Sequence, residues 1–322
     1  MSSQYSSNYA VKFSPKVQES FKKHAYTNAA VNHNFDFIGV QSVKLYSVDT
    51  ARMQNYAMTG SIFGSSNSRY GTVEELATSI QEMKMQMDRS FTFAIDKREN
   101  MDTLDVLNPG KALQRQIEQV VVPEVDKYRI AKIMNELWGL HSDMNHQIKR
   151  QTTKVDNTNA YDRFLDAKVA MLNKGIPMAG TFAYITPAFY KAIRTDNNFI
   201  KASDIAQDML IKGQVGMIDG IPLVLIPDSY FPKHGAVSGD IFTHLSHMST
   251  VFNGSNIHSG DIPSFMLINS EAVVAAEKLA DYKVHDNPPG INGYLIEGRL
   301  YYDCFVLKKK EDMIHIEYAP SV

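Results

Sequence analysis

The chain has 322 residues, 44% hydrophobic and 21% charged, with 33 Lys and Arg against 35 Asp and Glu and a formal net charge of −2. Ordinary apolar content and little self-repulsion exclude a chain disordered throughout. The lack of a basic surplus argues against nucleic-acid binding by electrostatics alone. With roughly 100–200 residues to a core, about two domains' worth of core is expected. Met1-Ser2-Ser3-Gln4-Tyr5 has no charged start before an apolar run, so no secretory signal is expected. The longest apolar run, near residues 221–226, is broken by Pro222 and stopped by Pro227. It falls far short of the roughly 20 residues that span a bilayer, and a soluble protein is expected. Cys304 is the only cysteine, so no intramolecular disulfide and no thiolate metal cage can form.

Residues 1–35 are rich in Ser, Asn, Gln and Tyr and carry Lys12, Lys16, Lys22 and Lys23 against Glu19. This composition suits an extended arm ordered by contact with something else, or a frayed terminus. Residues 43–48 read as a strand. The polar stretch from 50 to 72, with Gly60, Gly64, Gly71 and the run Ser65-Ser66-Asn67-Ser68, reads as a long loop or linker. A short helix is predicted over 73–78, capped by Thr72 with Glu74 and Glu75 in its first turn.

The next segment has strict period two. Met83, Met85, Met87, Arg89, Phe91, Phe93 and Ile95 alternate with Lys84, Gln86, Asp88, Ser90, Thr92 and Ala94. At about 3.3 Å per residue, a single strand here would run on the order of 40 Å, whereas strands of 5–6 residues are usual. Two readings are open: a two-stranded arm projecting from the body with an apolar stripe that needs a surface to rest on, or a long strand inside a β core.

Asn108 suits a helix cap and Pro109 the first helical position, and Leu113, Ile117, Val120, Val121, Val125 and Tyr128 keep helical spacing. Ile130, Ile133, Met134, Leu137 and Trp138 extend it. Pro123 should kink or divide this helix. A polar stretch from 145 to 158 marks a domain boundary. A helix over 160–174 ends at Gly175, and a strand over 181–185 precedes a short helix over 188–194 capped by Thr186-Pro187. Asp219-Gly220 between strands 215–218 and 221–226 is a strong hairpin signal. A strand over 265–268, a helix over 271–279, a stiff Asn287-Pro288-Pro289-Gly290 loop, a long strand over 295–307 and a last strand over 313–318 complete the chain. Strands and helices mix without a repeating βαβ unit, so the fold class is α+β.

Motifs for chemistry are sparse. No GxxxxGK[ST] loop, no GxGxxG after a strand and no GxSxG elbow is present. Cys304, in an apolar strand, suits an inert buried thiol better than a nucleophile. His244 and His247, spaced i,i+3 after Asp240, would make one side of a metal site if helical, although HxxH is common by chance. No cofactor is expected and no carboxylate pair invites an acid–base assignment.

Several strings in order resemble one family. They are Tyr70-Gly71-Thr72-Val73-Glu74-Glu75-Leu76, Gln81-Glu82-Met83, the run 88–96, the run 122–129, the run 184–190, the run 216–222, the run 281–290 and Glu297-Gly298-Arg299-Leu300-Tyr301-Tyr302-Asp303. Over residues 35–318 the chain resembles tailed-bacteriophage major capsid proteins of the Hong Kong 97-type fold. The resemblance implies an N-terminal arm over 1–35, an extended β-hairpin loop over 36–105, a peripheral domain with a long spine helix over 106–155 and 291–322, and an axial domain over 156–290. It implies no enzyme, but a virion protein that self-assembles into pentamers and hexamers of an icosahedral or prolate head shell enclosing double-stranded DNA without sequence-specific binding or a membrane. Assembly in the host bacterial cytoplasm is implied, with a separate scaffolding protein or none, and a portal and decoration proteins as further partners.

The residues expected at contacts between subunits are Met83, Met85, Met87, Phe91 and Phe93 in the loop and Tyr5, Tyr9, Phe13 and Phe21 in the arm. Residues 53–72 hold no lysine, so covalent cross-linking through the loop tip, as in some relatives, is not expected. The alternatives are a soluble metal-assisted hydrolase using Asp240, His244 and His247, or another virion protein such as a tail component.

Overall fold

The computed structural model describes residues 25–32, 42–48, 50–56, 70, 74–98, 108–140, 148–151, 153–196, 216–232 and 263–318. The chain divides into two units, residues 39–84 and residues 1–38 with 85–322.

The smaller unit is a hairpin. Strands β1 (Ser42–Val48) and β2 (Thr78–Lys84) pair antiparallel, from Ser42 opposite Lys84 to Val48 opposite Thr78. Residues 74–77 are irregular, not the helix expected over 73–78. Thr78 and Ile80 find partners on β1, and cross-strand pairing outweighs the weak local helix signal of two glutamates. Glu74 holds Arg52 in an exposed ion pair at 2.8 Å.

The larger unit contains a three-stranded and a six-stranded sheet. In the first, β3 (Met87–Asp96) and β9 (Val273–Asp286) flank β10 (Gly293–Val306), all antiparallel. In the second, the order is β4 (Ile148–Arg150), β11 (Ile314–Tyr318), β8 (Pro263–Asn269), β5 (Thr181–Ile185), β7 (Ile221–Leu225) and β6 (Met217–Ile218). Asp219 and Gly220, with φ of 47° and 82°, turn β6 into β7 as the dipeptide predicts. The helix expected over 271–279 is instead the start of β9. Val273, Val274, Ala275 and Ala276 are buried by pairing with residues 303–306 of β10, an arrangement that local helix propensity does not contain.

Helix α1 (Pro109–Gln116) begins where Asn108 Oδ1 accepts from the Gly110 N–H at 2.9 Å. One wide π turn, Ile117–Val121, leads into α2 (Val122–Leu140). This turn is the interruption that Pro123 demands. A proline lacks an N–H and crowds the carbonyl four residues back, and the widened turn just ahead of it makes room.

Packing follows from these faces. The first part of this helical stretch, through Leu113, Ile117, Val125 and Tyr128, packs with Met87, Ile95, Ile296 and Leu300 of the three-stranded sheet. Further along α2, Ile130, Ile133, Met134, Leu137 and Trp138 share a core with Met266, Ile268, Ile314, Ile316 and Tyr318 of the six-stranded sheet. Helices α3 (Ala160–Asn173) and α4 (Pro187–Arg194) cover the other face through Phe164, Met171, Phe189 and Ile193, against Ala183, Ile185, Phe265 and Leu267. Every residue of β8 is buried, as a strand covered on both faces requires. Among the described residues no helix is long and apolar enough to cross a membrane.

Candidate interaction surface

The register of the hairpin separates its side chains into two faces. One face carries the opposed pairs Lys44–Glu82, Tyr46–Ile80 and Val48–Thr78, and the other Val43–Met83, Leu45–Gln81 and Ser47–Ser79. On the first face Tyr46 is 66% exposed, Val48 59% and Ile80 55%. The remaining described residues of this unit add exposed Met53, Tyr56, Tyr70 and Leu76, with Tyr56 and Tyr70 edge to face at 5.1 Å. A two-stranded hairpin is marginal in water by itself, and clustered large apolar side chains on one face are an unmet demand for burial. The sequence carried a signal for this face in the alternation of Lys44, Tyr46 and Val48 with Val43, Leu45 and Ser47. It is weaker than the Met/Phe alternation further along the chain.

The Met/Phe stretch itself is not one ribbon. Pairing with β1 ends at Lys84 and pairing with β10 begins at Met87. Between them, the Gln86 N–H donates to Asp303 Oδ2 at 2.9 Å and the Tyr301 hydroxyl donates to the Met85 carbonyl at 3.2 Å. Met83, Met85 and Met87 are buried within the chain, which corrects their expected availability to a neighbouring subunit. The period of two persists across the break because Met85 and Met87 both turn inward, and an inward turn gives the same alternation as a stripe facing a partner.

Phe91 and Phe93 are half-buried, with their rings stacked at 6.2 Å. Phe91 lies across Gly298 of β10, where an added Cβ would come within 2.4 Å of two ring atoms. It lines a cleft of about 200 Å³ together with Gln116, Val120, Tyr282 and Tyr302, beside an Arg89–Glu124 ion pair at 2.7 Å. Tyr5, Tyr9, Phe13 and Phe21 lie outside the described residues.

Asp240, His244 and His247 also lie outside them. Among the described residues no group of three or more His, Cys, Asp or Glu is placed to hold a metal ion. Cys304 is buried, and burial pushes its thiol pKa up, away from the reactive thiolate. The buried carboxylates tie elements together. Asp303 accepts from the Tyr128 hydroxyl at 2.7 Å and from the N–H groups of Cys304 and Gln86 at 2.8 and 2.9 Å, joining α2, β10 and the break before β3. Glu136 of α2 accepts from the Val306 N–H at 2.7 Å, and burial raises its carboxyl to about 7.

No protein-family model matches the chain, and no curated protein does. Solved structures do. The chain in the capsid of cyanophage P-SCSP1u superposes with a TM-score of 0.63 at 13% identity, over 91% of this chain and 87% of that one. The mature capsid of bacteriophage PhiM1 gives 0.62 at 8% identity, over 92% and 88%. The head of Helicobacter pylori bacteriophage KHP40 gives 0.56 at 12% identity, over 93% and 90%. At these identities the likeness is one of fold: the chain has the α+β, Hong Kong 97-type fold of phage capsid chains.

Proposed function

We propose that this chain is the major capsid protein of a tailed bacteriophage, assembling as pentamers and hexamers into the head shell around double-stranded DNA. The observation that carries this reading is a shared fold over about nine-tenths of both chains with capsid structures, so that no large insertion is left over to hold a different activity. The exposed face of the hairpin supports it. Copies joined head to tail close into rings, and an apolar hairpin face laid on the next copy supplies the burial that the hairpin lacks by itself.

In this reading Tyr46, Val48 and Ile80 take over the contact role expected of the methionines, and Phe91 at the cleft and Phe93, stacked on it, remain candidates. The extended loop is centred on residues 39–84, and β3 goes with the peripheral domain, whose β10 it pairs with. The peripheral domain otherwise keeps 106–155 and 291–322, and the axial domain 156–290. The protein acts in the virion by its surfaces and not as an enzyme, after assembly in the bacterial cytoplasm. Scaffolding, portal and decoration proteins are its further partners. A net charge of −2 suits a shell that must not grip its DNA tightly.

Sedimentation velocity and electron microscopy of the purified full-length chain test the proposal. Rings, tubes or closed shells are expected. A monomer or dimer at every concentration, above all one that retains zinc, would favour the hydrolase built on Asp240, His244 and His247.

A further inference from the structure

One face of the three-stranded sheet leaves space beneath the π turn. Arg89 and Phe91 on β3 lie opposite Leu300 and Gly298 on β10, Tyr302 is two residues further along β10, and Tyr282 on β9 lies opposite Gly298. With a period of two, these side chains share one face. Gly298 has no side chain to fill its own position, and the rings of Phe91 and Tyr282 stand 6.1 Å apart over it. Val120 and Val121 of the π turn and Gln116 of α1 form the facing wall, and Val120, 46% exposed, stands where the space opens to solvent. The result is the cleft of about 200 Å³.

Tyr302 lines this cleft and is only 2% exposed, yet its hydroxyl has no hydrogen-bond partner among the described residues. A buried hydroxyl left unpaired costs free energy that a phenylalanine in its place would not, and an acceptor seated in the cleft removes that cost. Burial, with the Glu124 carboxylate adding to it, pushes the hydroxyl pKa up, so the group keeps its proton and donates. Beside it Arg89 and Glu124 cancel each other's charge at 2.7 Å, which leaves no net charge to attract an ion. Size and shape narrow the class further. Apolar cavities of about 150 Å³ take up benzene, so this cleft has room for a single ring with a small substituent. The aromatic walls of Phe91 and Tyr282 favour such a ring, through offset or edge-on contacts.

We propose that this cleft binds a small neutral molecule made of one aromatic ring and a hydrogen-bond acceptor, with the ring among Phe91, Tyr282 and Leu300 and the acceptor on the Tyr302 hydroxyl. Such a site is independent of whether copies of the chain assemble. The test titrates phenol into the full-length chain, with toluene as the same shape lacking the oxygen, and reads binding by equilibrium dialysis and saturation-transfer NMR. Phenol should bind saturably, one molecule to a chain, with a dissociation constant on the order of 0.1–1 mM. Val120→Trp, which fills the opening from an exposed position, should weaken both probes at least about 10-fold. If that variant does not fold, Gln116→Trp on the same wall carries this arm. Tyr302→Phe should weaken phenol by about 3- to 10-fold, the worth of one hydrogen bond, and leave toluene unchanged. Its melting temperature should not fall, because the hydroxyl it removes is unpaired. The site is overturned by no saturable phenol binding up to about 10 mM, or by undiminished binding in the tryptophan variant. Equal effects of Tyr302→Phe on phenol and toluene overturn it as well.

Discussion

Tyr46 and Ile80 stand directly opposite one another on β1 and β2, and each is more than half exposed. Opposed apolar side chains of this size stabilise a hairpin through their mutual contact, by roughly 0.2–1 kcal/mol, and still leave most of their area in water. That remaining area is what a second copy would cover.

Replacing this pair with charges of opposite sign, Tyr46→Lys with Ile80→Glu, keeps a favourable cross-strand contact and removes the apolar face. Stability measured by thermal melting should stay within about 0.5 kcal/mol of wild type, the usual range for surface changes. Rings and shells, counted by electron microscopy, should be lost. Normal particles from the double variant would mean that this face is not the contact. Deleting residues 53–70 is likewise expected to leave a folded body and to stop stable shell formation.

Gly298→Ala should be costly for a residue so small. The new Cβ would fall 2.4 Å from two atoms of the Phe91 ring and 2.9 Å from the Tyr282 ring. Overpacking of this kind costs about 1–3 kcal/mol, read as a lower denaturation midpoint. Phe91→Ala should cost less in the Gly298→Ala background than in wild type, because one substitution relieves the crowding that the other creates.

Stability should depend on pH through Glu136 and Glu317. Burial raises both carboxyls from the ordinary 4.5 to about 7, in Glu317 against the pull of Arg163, whose Nη1 is 3.9 Å from its Oε1. Protons bind these groups more tightly in the folded chain than in the unfolded one. Their contribution is therefore complete below pH 4.5 and is lost as pH rises through 7. His315, two residues before Glu317 on β11, opposes this. Burial lowers it from 6.5 to about 4, so its contribution is lost as pH falls across that interval. Two carboxyls outweigh one imidazole, and denaturant melts should show stability declining from pH 5 to 8. Glu317→Gln should remove most of that slope, because the opposed contributions of Glu136 and His315 then nearly offset one another.

The side-chain helix caps Asn108 and Thr186 should each contribute about 1 kcal/mol. Asn108 Oδ1 accepts from the Gly110 N–H at 2.9 Å, and Thr186 Oγ1 accepts from the Phe189 N–H at 3.4 Å while donating to the Ser264 carbonyl at 3.0 Å. Alanine at either position should lower the melting temperature, and more at Thr186, which is buried and ties α4 to β8. Equal effects would mean that the bond to Ser264 adds nothing.

Much of the architecture was legible wherever a few adjacent residues decide the geometry. Asn108-Pro109 starts a helix, Asp219-Gly220 turns a hairpin through positive φ, and Thr186-Pro187 opens α4 after the strand Thr181–Ile185. The family resemblance, carried by strings spread along the chain, pointed to the fold that the structure has. The proposed contact surface was less legible: the strongest alternating pattern led to Met85 and Met87, which are core, and away from the exposed Tyr46 and Ile80.

The sequence by itself determined the α+β class, the caps and turns, and an alternation marking residues 83–95 as extended, because these depend on side-chain size, φ preference and hydrogen bonds a few residues apart. Only the tertiary structure decided which strand that segment joins, and hence which way its side chains face. Met87 lies opposite Tyr302, and Val273 opposite Val306 in a segment with helical leanings. Such pairings take their hydrogen bonds and burial from residues far away in the chain, and a local pattern of period two reads the same whether its apolar side meets its own core or another copy.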